Sequence, residues 1–209
     1  MAGEDPNNKA PATKHISVAD DGGMILVLRR DGNDTRIRAP STVLSYSSPV
    51  FKALLAPGRF AEGNGARSAH DPKEISFEED DCTVMVDLCA LLHQDRKSDL
   101  AELRPETPGC PRELHSRRLL ELSILIDKYD CAAPVRFTAE ALFSRFSVTA
   151  LLDAPTLCNL VAATYILRFR HYFQSFTRDL ILTSTNPFGL QLDQRHGKLL
   201  GLSTLCELV

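Results

Sequence analysis

The 209-residue sequence lacks the short motifs by which many enzymes are identified. It contains no G-x-S-x-G nucleophile motif, no H-E-x-x-H zinc motif and no phosphate-binding glycine loop. Gly58, Gly63 and Gly65 do not fit a dinucleotide-binding fingerprint, which needs a preceding strand and a following helix. A Cys–His pair drawn from distant positions stays open as an alternative, because such sites assemble in space. The absences favour a protein that is not an enzyme.

The sequence also has no apolar run long enough to cross a bilayer. Its first residues, MAGEDPNNKAPATK, have no apolar signal core, so we expect an intracellular protein, cytoplasmic or nuclear. The formal net charge of −3 provides no overall attraction to nucleic acid or to an acidic membrane. Direct contact with either is therefore not predicted.

The six cysteines stand singly and form no C-x-x-C pair. In an intracellular chain this spacing predicts free thiols, several of them in the core. Cys82, Cys89 and His93 fall at i, i+7 and i+11 of one predicted helix, which makes a zinc site conceivable. Structural zinc prefers four ligands in closely spaced pairs, so core packing is the favoured interpretation. We predict no metal site and no cofactor.

A hairpin followed by two short helices is the clearest pattern present. Residues 24–28 form an apolar run, residues 31–34 are turn formers, and Ile37 lies between two arginines. Ser41 is a predicted N-cap for the first helix. Ser48 is another for the second, with Pro49 at the first helical position. Pro57-Gly58 ends that helix.

The remaining pattern predicts one more core strand and mostly helices. Residues 74–77 alternate like a third strand, and the acidic residues 78–81 precede a helix. Residues 94–116 are polar, hold three prolines and are predicted to be a loop. Helical periodicity returns from residue 119 to residue 185. Residues 15–18 are a candidate short leading strand.

These elements predict an α+β protein with a three-stranded core sheet surrounded by helices. One shared core is expected from the apolar phase of each element. Its predicted members are Ile37, Leu44, Val50, Phe51, Leu54, Ile75, Phe77, Val84, Leu88, Leu122, Ile126 and Tyr129.

Two surface features of the C-terminal helices have competing interpretations. Phe169, Phe173 and Phe176 could form an aromatic binding face, but the buried side of a helix is favoured. The basic residues around Arg168 and Arg178 could contact phosphates, but a solvated edge is favoured because no nucleic-acid-binding motif is present.

With the elements in this order, the chain resembles the BTB/POZ domain, in particular the BTB-domain proteins of filamentous fungi. The matching segments are VLSYSSPVFKALL, RFAEG, EISFEEDD, LCALLHQ and ELSILIDKYDC, and AATYILRFRHYFQSFTRDLILTS is similar to a helical extension of those proteins. The resemblance implies a BTB/POZ domain (15–147) and a C-terminal helical extension (148–187). Residues 1–14 are polar, contain two prolines and are predicted to be a disordered tail, and residues 188–209 form a tail of unassigned structure.

The resemblance further implies a non-enzymatic scaffold for protein–protein interaction and oligomerisation. Two kinds of partner are implied: a cullin, for which the chain would be a substrate adaptor of a ubiquitin ligase, and a second copy of the chain as a homodimer. Such adaptors carry an apolar-x-Glu motif after the second helix, and Phe60 and Glu62 occupy that place. In this role Phe60 would fill a partner's pocket and Glu62 would accept hydrogen bonds.

Three expectations accompany this assignment. Gly63 and Gly65 are expected to leave the loop mobile. An ordinary loop phenylalanine beside a solvated acid is the alternative for Phe60 and Glu62. The alternative function is a transcription- or chromatin-associated scaffold without a DNA-binding segment of its own.

Overall fold

The computed structural model describes residues 13–30, 33–65, 68–77, 79–94, 112–147 and 152–183. Within these residues the chain has a mixed α+β structure, with one four-stranded sheet and seven α-helices. The strands are β1 (Thr13–Ser17), β2 (Met24–Arg30), β3 (Asn33–Ala39) and β4 (Lys73–Ser76). The helices are α1 (Ser41–Ser47), α2 (Pro49–Leu54), α3 (Cys82–Leu92), α4 (Arg112–Lys128), α5 (Ala132–Ser147), α6 (Ala154–Ile166) and α7 (Arg170–Thr183).

The predicted hairpin lies at the centre of the sheet, whose strand order is β1-β3-β2-β4. Strands β2 and β3 pair antiparallel, with Met24 opposite Ala39 and Arg30 opposite Asn33. Strand β4 runs parallel to β2, and β1 runs parallel to β3. The central position of the hairpin explains why its apolar residues are buried.

The expected three-stranded sheet is wrong, because β1 adds a fourth strand. Its residues Thr13 and Lys14 also fall inside the stretch predicted to be a disordered tail. Ile16 and Val18 are only half-buried and the residues between Thr13 and Ser17 are otherwise exposed, so β1 has no strong apolar pattern. Backbone pairing with β3, rather than burial, holds this strand in place.

Helix α4 begins earlier than the sequence indicated. The predicted loop extended to Ser116, but residues from Arg112 onward are helical. His115 and Ser116 are buried despite their polarity. Ser116 Oγ accepts a hydrogen bond of 3.0 Å from Asn159 Nδ2 of α6. A polar pair inside a helix–helix contact cannot be recognised from apolar periodicity.

Ser48 joins the first helix pair to the helical part of the protein. Its hydroxyl oxygen accepts a hydrogen bond from Phe51 N, as predicted for an N-cap, and donates one of 2.5 Å to the carbonyl of Tyr129. The ring of Phe51 stacks on that of Tyr129 with centroids 4.4 Å apart. The predicted cap at Ser41 is wrong, since Ser41 is already helical and the cap position is Pro40.

Most of the predicted core is confirmed, but Val50 is 40% exposed and is not part of it. Leu54 and Phe77 are half-buried. Helix α2 has six residues, and Phe51 is the one it buries. The nine fully buried members are Ile37, Leu44, Phe51, Ile75, Val84, Leu88, Leu122, Ile126 and Tyr129.

The C-terminal helices pack mainly through α6, which is buried along nearly its whole length. Phe169 and Phe176 are buried and Phe173 packs partly against the core, which confirms the interpretation as a buried helix side. No described helix has both the length and the apolar character needed to span a bilayer. The predicted C-terminal tail and most of the N-terminal tail lie outside the described residues.

Candidate interaction surface

Phe60 and Glu62 lie on a compact turn that follows α2. Gly58, with φ of 77°, reverses the chain, and Phe60 then caps a short 3-10 turn, Ala61–Gly63. The side chain of Asn64 accepts a hydrogen bond of 2.9 Å from Gly58 N across this reversal. Both residues therefore lie on one turn between α2 and β4.

Gly63 anchors the turn rather than loosening it. The residue is buried, and a Cβ at this position would lie 2.0 Å from the carbonyl oxygen of Ala56. Only glycine allows the turn to approach the end of α2 this closely. This packing argues against the expectation that Gly63 leaves the loop mobile, which stays a prediction. Gly65, with φ of 95° and open space around it, has no such packing role.

Lys73 fixes the other side of the turn. From the first position of β4, its ammonium group donates a hydrogen bond of 2.8 Å to the carbonyl of Ala61 and another to the carbonyl of Asn64. A charged donor satisfies two backbone acceptors of the turn in this way. The turn is thus tied to the sheet as well as to α2.

The phenyl ring of Phe60 is directed partly to solvent, with 51% of the residue exposed. Glu62 is half-buried beside it. A large apolar side chain held half-exposed on a constrained turn can be buried by a partner at little conformational cost. The turn has the chemistry of a docking point: an apolar group next to a hydrogen-bond acceptor.

The outward side of α2 continues this apolar character. Val50, Ala53 and Leu54 on α2, and Pro57 just beyond its end, are apolar and none of them is fully buried. Sequence reasoning had assigned Val50 and Leu54 to the core. Together with Phe60, these four residues are called the α2–turn surface below.

Two exposed cations, Lys52 and Arg59, lie close in sequence to the α2–turn surface. Neither forms an ion pair with a residue that the structure describes.

Another exposed aromatic residue, Tyr46, lies on α1 and is 96% exposed. The sequence analysis did not single it out. An apolar pattern cannot identify such a residue, because the neighbouring Leu44 carries the buried phase of this short helix.

A separate open cavity of about 500 Å³ lies between the end of β2, the turn before α3, and α4. Two of its acids, Asp80 and Asp81, take part in internal contacts. Asp81 caps α3 and pairs with Arg30, while Asp80 binds Lys128 at 2.6 Å and accepts a 2.5 Å hydrogen bond from the Tyr129 hydroxyl. The described lining contains no serine, cysteine or histidine, the residue types used most often as nucleophile or base.

The described cysteines Cys82, Cys89, Cys131 and Cys158 are free thiols, while Cys110 and Cys206 lie outside the described residues. Burial, with a smaller contribution from Cys131, raises the pKa of Cys89 to about 12. Burial also raises the pKa of Cys131 to about 11. Both thiols therefore stay protonated and unreactive at neutral pH.

No group of three or more His, Cys, Asp or Glu side chains in the described part of the chain is arranged to hold a metal ion. Cys89 is buried in the core, and His93 Nδ1 lies 2.8 Å from the carbonyl oxygen of Cys89. The contact between His93 and Cys89 therefore involves the backbone carbonyl of Cys89.

Comparison with protein-family models and with curated proteins finds no match for this chain.

Proposed function

We propose that this protein is a BTB-type protein-interaction module that serves as a cullin adaptor and docks its partner through the turn carrying Phe60 and Glu62. The observation that carries the proposal is the half-exposed Phe60 ring on a turn held by Gly63, Asn64 and Lys73.

The order of elements supports the proposal. A central hairpin, a pair of short helices, a strand parallel to the first hairpin strand and a further helix follow one another, as the resemblance implies. The docking turn lies between α2 and β4, where the apolar-x-Glu motif of such adaptors is expected.

In this role the two residues act differently. The Phe60 ring enters an apolar pocket of the partner, where an aromatic anchor of this kind contributes about 2 kcal/mol or more. Glu62 accepts hydrogen bonds from the partner's donors. Because the turn is already ordered by its contacts, little of that free energy is spent on ordering it.

Direct binding to the N-terminal domain of a purified cullin tests the proposal. The wild-type chain should bind at micromolar concentration, and the variant with Phe60→Ala and Glu62→Ala should not, with an unchanged melting temperature. Phe137→Ala is the matched control, since Phe137 is also an exposed phenylalanine but lies on α5. Failure of the wild type to bind, or equal binding by the double variant, rejects the adaptor role.

A further inference from the structure

The docking turn ends in an asparagine that is followed directly by a glycine, Asn64-Gly65. Both residues are exposed, and Gly65, with φ of 95°, has open space around it. Within the described part of the chain, the backbone N–H of Gly65 donates no hydrogen bond. The nitrogen that follows Asn64 is therefore unengaged and has no side chain beside it.

This nitrogen is a nucleophile for the side-chain amide carbon of Asn64, Cγ. When the Gly65 N–H loses its proton to hydroxide, a new N–Cγ bond closes a succinimide ring, and the Cγ–Nδ2 bond breaks. The leaving nitrogen takes a proton from water and departs as ammonia. A second water molecule then opens the ring at either of its carbonyl carbons, which yields aspartate or isoaspartate. Because both reacting atoms belong to neighbouring residues, the ring closure is intramolecular.

Two hydrogen bonds of Asn64 involve the atoms on which charge develops. Its Oδ1 accepts a hydrogen bond of 2.9 Å from Gly58 N, a donor that stabilises negative charge on this oxygen during attack. Its carbonyl oxygen, which belongs to the same peptide group as the Gly65 nitrogen, accepts a hydrogen bond from the Lys73 ammonium group. That positive charge favours the deprotonated, attacking form of the Gly65 amide.

Ring closure also requires rotation of the Asn64 backbone. Its ψ is 149°, so the Cα–C bond has to turn before the Gly65 nitrogen faces Cγ. Because Gly65 has no Cβ and is surrounded by open space, this rotation meets no side chain at that residue.

The two products differ in their effect on the turn that presents Phe60. Aspartate keeps the original backbone, and its carboxylate still accepts a hydrogen bond from Gly58 N. Isoaspartate carries the backbone through the former side chain, which lengthens it by one carbon and moves the carbonyl away from Lys73. The contacts that join the turn to Gly58 and Lys73 then no longer form together.

We propose that Asn64 is a site of spontaneous deamidation, and that the isoaspartate product releases the docking turn and withdraws Phe60 from its partner. The modification itself is independent of the proposed function, whereas its effect on binding rests on that function. The age of each molecule then decides whether it binds.

Peptide mass spectrometry of the full chain tests the site. The protein is incubated at mildly alkaline pH in water enriched in heavy oxygen, which marks conversions that occur during the incubation. Asn64 should lose its amide, and isoaspartate-specific enzymatic methylation should label the product. Asn33, which is exposed but followed by Asp34, and the buried Asn159 are internal controls that should retain their amides. Gly65→Ala should slow the loss, because its Cβ shields the nitrogen.

Two further measurements test the effect on the turn. The Gly63 amide, which donates a hydrogen bond of 3.0 Å to the carbonyl of Phe60, should exchange its hydrogen faster in the isoaspartate form. When an aged sample is bound to the cullin domain, isoaspartate molecules should be depleted from the bound fraction. Freshly prepared Asn64→Asp, the matched control for the change in charge, should bind like the wild type.

Retention of the Asn64 amide, or conversion to aspartate without isoaspartate, overturns the inference. Equal binding of isoaspartate and aspartate molecules overturns the effect on docking. If fresh protein binds no cullin while Asn64 converts and Gly63 exchange accelerates, the adaptor role fails and the modification site stands. If cullin binding is present and Asn64 keeps its amide, the adaptor role stands and this inference fails.

Discussion

Helices α2 and α6 use their apolar residues in opposite ways. Helix α6 is buried from Thr156 to Thr164, and two of its buried polar side chains bond internally: Asn159 to Ser116, and Thr164 to the carbonyl of Leu160. Helix α2 buries Phe51 but keeps Val50 and Leu54 partly open. The comparison shows that α6 is a core helix, whereas α2 buries one side chain, Phe51, and leaves part of its apolar surface open.

The largest expected difference in stability lies between substitutions at two neighbouring residues of α2. Phe51→Ala should lower the free energy of unfolding by about 3–5 kcal/mol, because it removes a fully buried ring stacked on Tyr129. Lys52→Ala, one position further along the helix, should leave stability nearly unchanged. Chemical denaturation of the two variants measures the difference, and equal midpoints would contradict the assignment of the buried face.

A comparison of the two helices gives the next largest effect. Leu160→Ala in α6 should cost about 2–5 kcal/mol, because its side chain is fully buried. Val50→Ala in α2 should change stability by no more than about 0.5 kcal/mol, as is usual for surface positions. Matched urea titrations check both values. A large loss for Val50→Ala would show that the α2–turn surface is part of the core.

Much of this division could be predicted from the sequence. The buried phase of Leu122 and Ile126 in α4, and of Tyr129 just after it, followed from helical spacing, and Ser48-Pro49 correctly marked the start of α2. Val50 was assigned to the core because it recurs at helical spacing with Phe51, Leu54 and Leu55. Apolarity alone cannot tell an inner position of a short helix from an outer one.

Other features depend on contacts between distant residues. The pairing of β1 with β3 and the buried contact of Ser116 with Asn159 have no apolar signature. The place of Phe60 and Glu62 on a turn was predictable from the helix stop at Pro57-Gly58. The close packing of that turn could not be predicted, because it depends on how closely Gly63 approaches Ala56.

The close approach of Gly63 to Ala56 predicts a smaller loss of stability, which is localised to the turn. Gly63→Ala should cost about 1–3 kcal/mol, as expected for overpacking against backbone, and should also weaken partner binding by displacing Phe60. Gly65→Ala is the control on the same loop, where a Cβ meets open space and only the positive φ opposes it. Wild-type binding by Gly63→Ala would show that the turn position is not set by this contact.

The smallest expected effect is a decrease in the free energy of unfolding at alkaline pH. The pKa of Cys89 is raised to about 12 from 9.0, so above pH 9 the unfolded chain loses a proton that the folded chain retains. The stability contributed by the buried thiol is complete below pH 9 and is lost as pH rises towards 12. At pH 10 the loss from this group should be about 1 kcal/mol.

Cys89→Ala should reduce the alkaline decline, measured as the change in unfolding free energy between pH 8 and pH 10 relative to wild type. It should not remove the decline, because burial also raises the pKa of Cys131 and of Tyr129. Leu160→Ala, which removes a buried side chain without a titratable group, is the control and should keep the wild-type slope. Identical slopes for Cys89→Ala and wild type would argue against the burial of this thiol.

Strand β1 has a consequence for self-association. By pairing with β3 it covers backbone groups that would otherwise form an open sheet edge, the usual template for intermolecular strand addition. Its own outer edge carries exposed Lys14 and His15 instead of apolar side chains. Such charged, polar edges discourage aggregation, so a strand that contributes little burial helps to keep the central hairpin from pairing with other molecules.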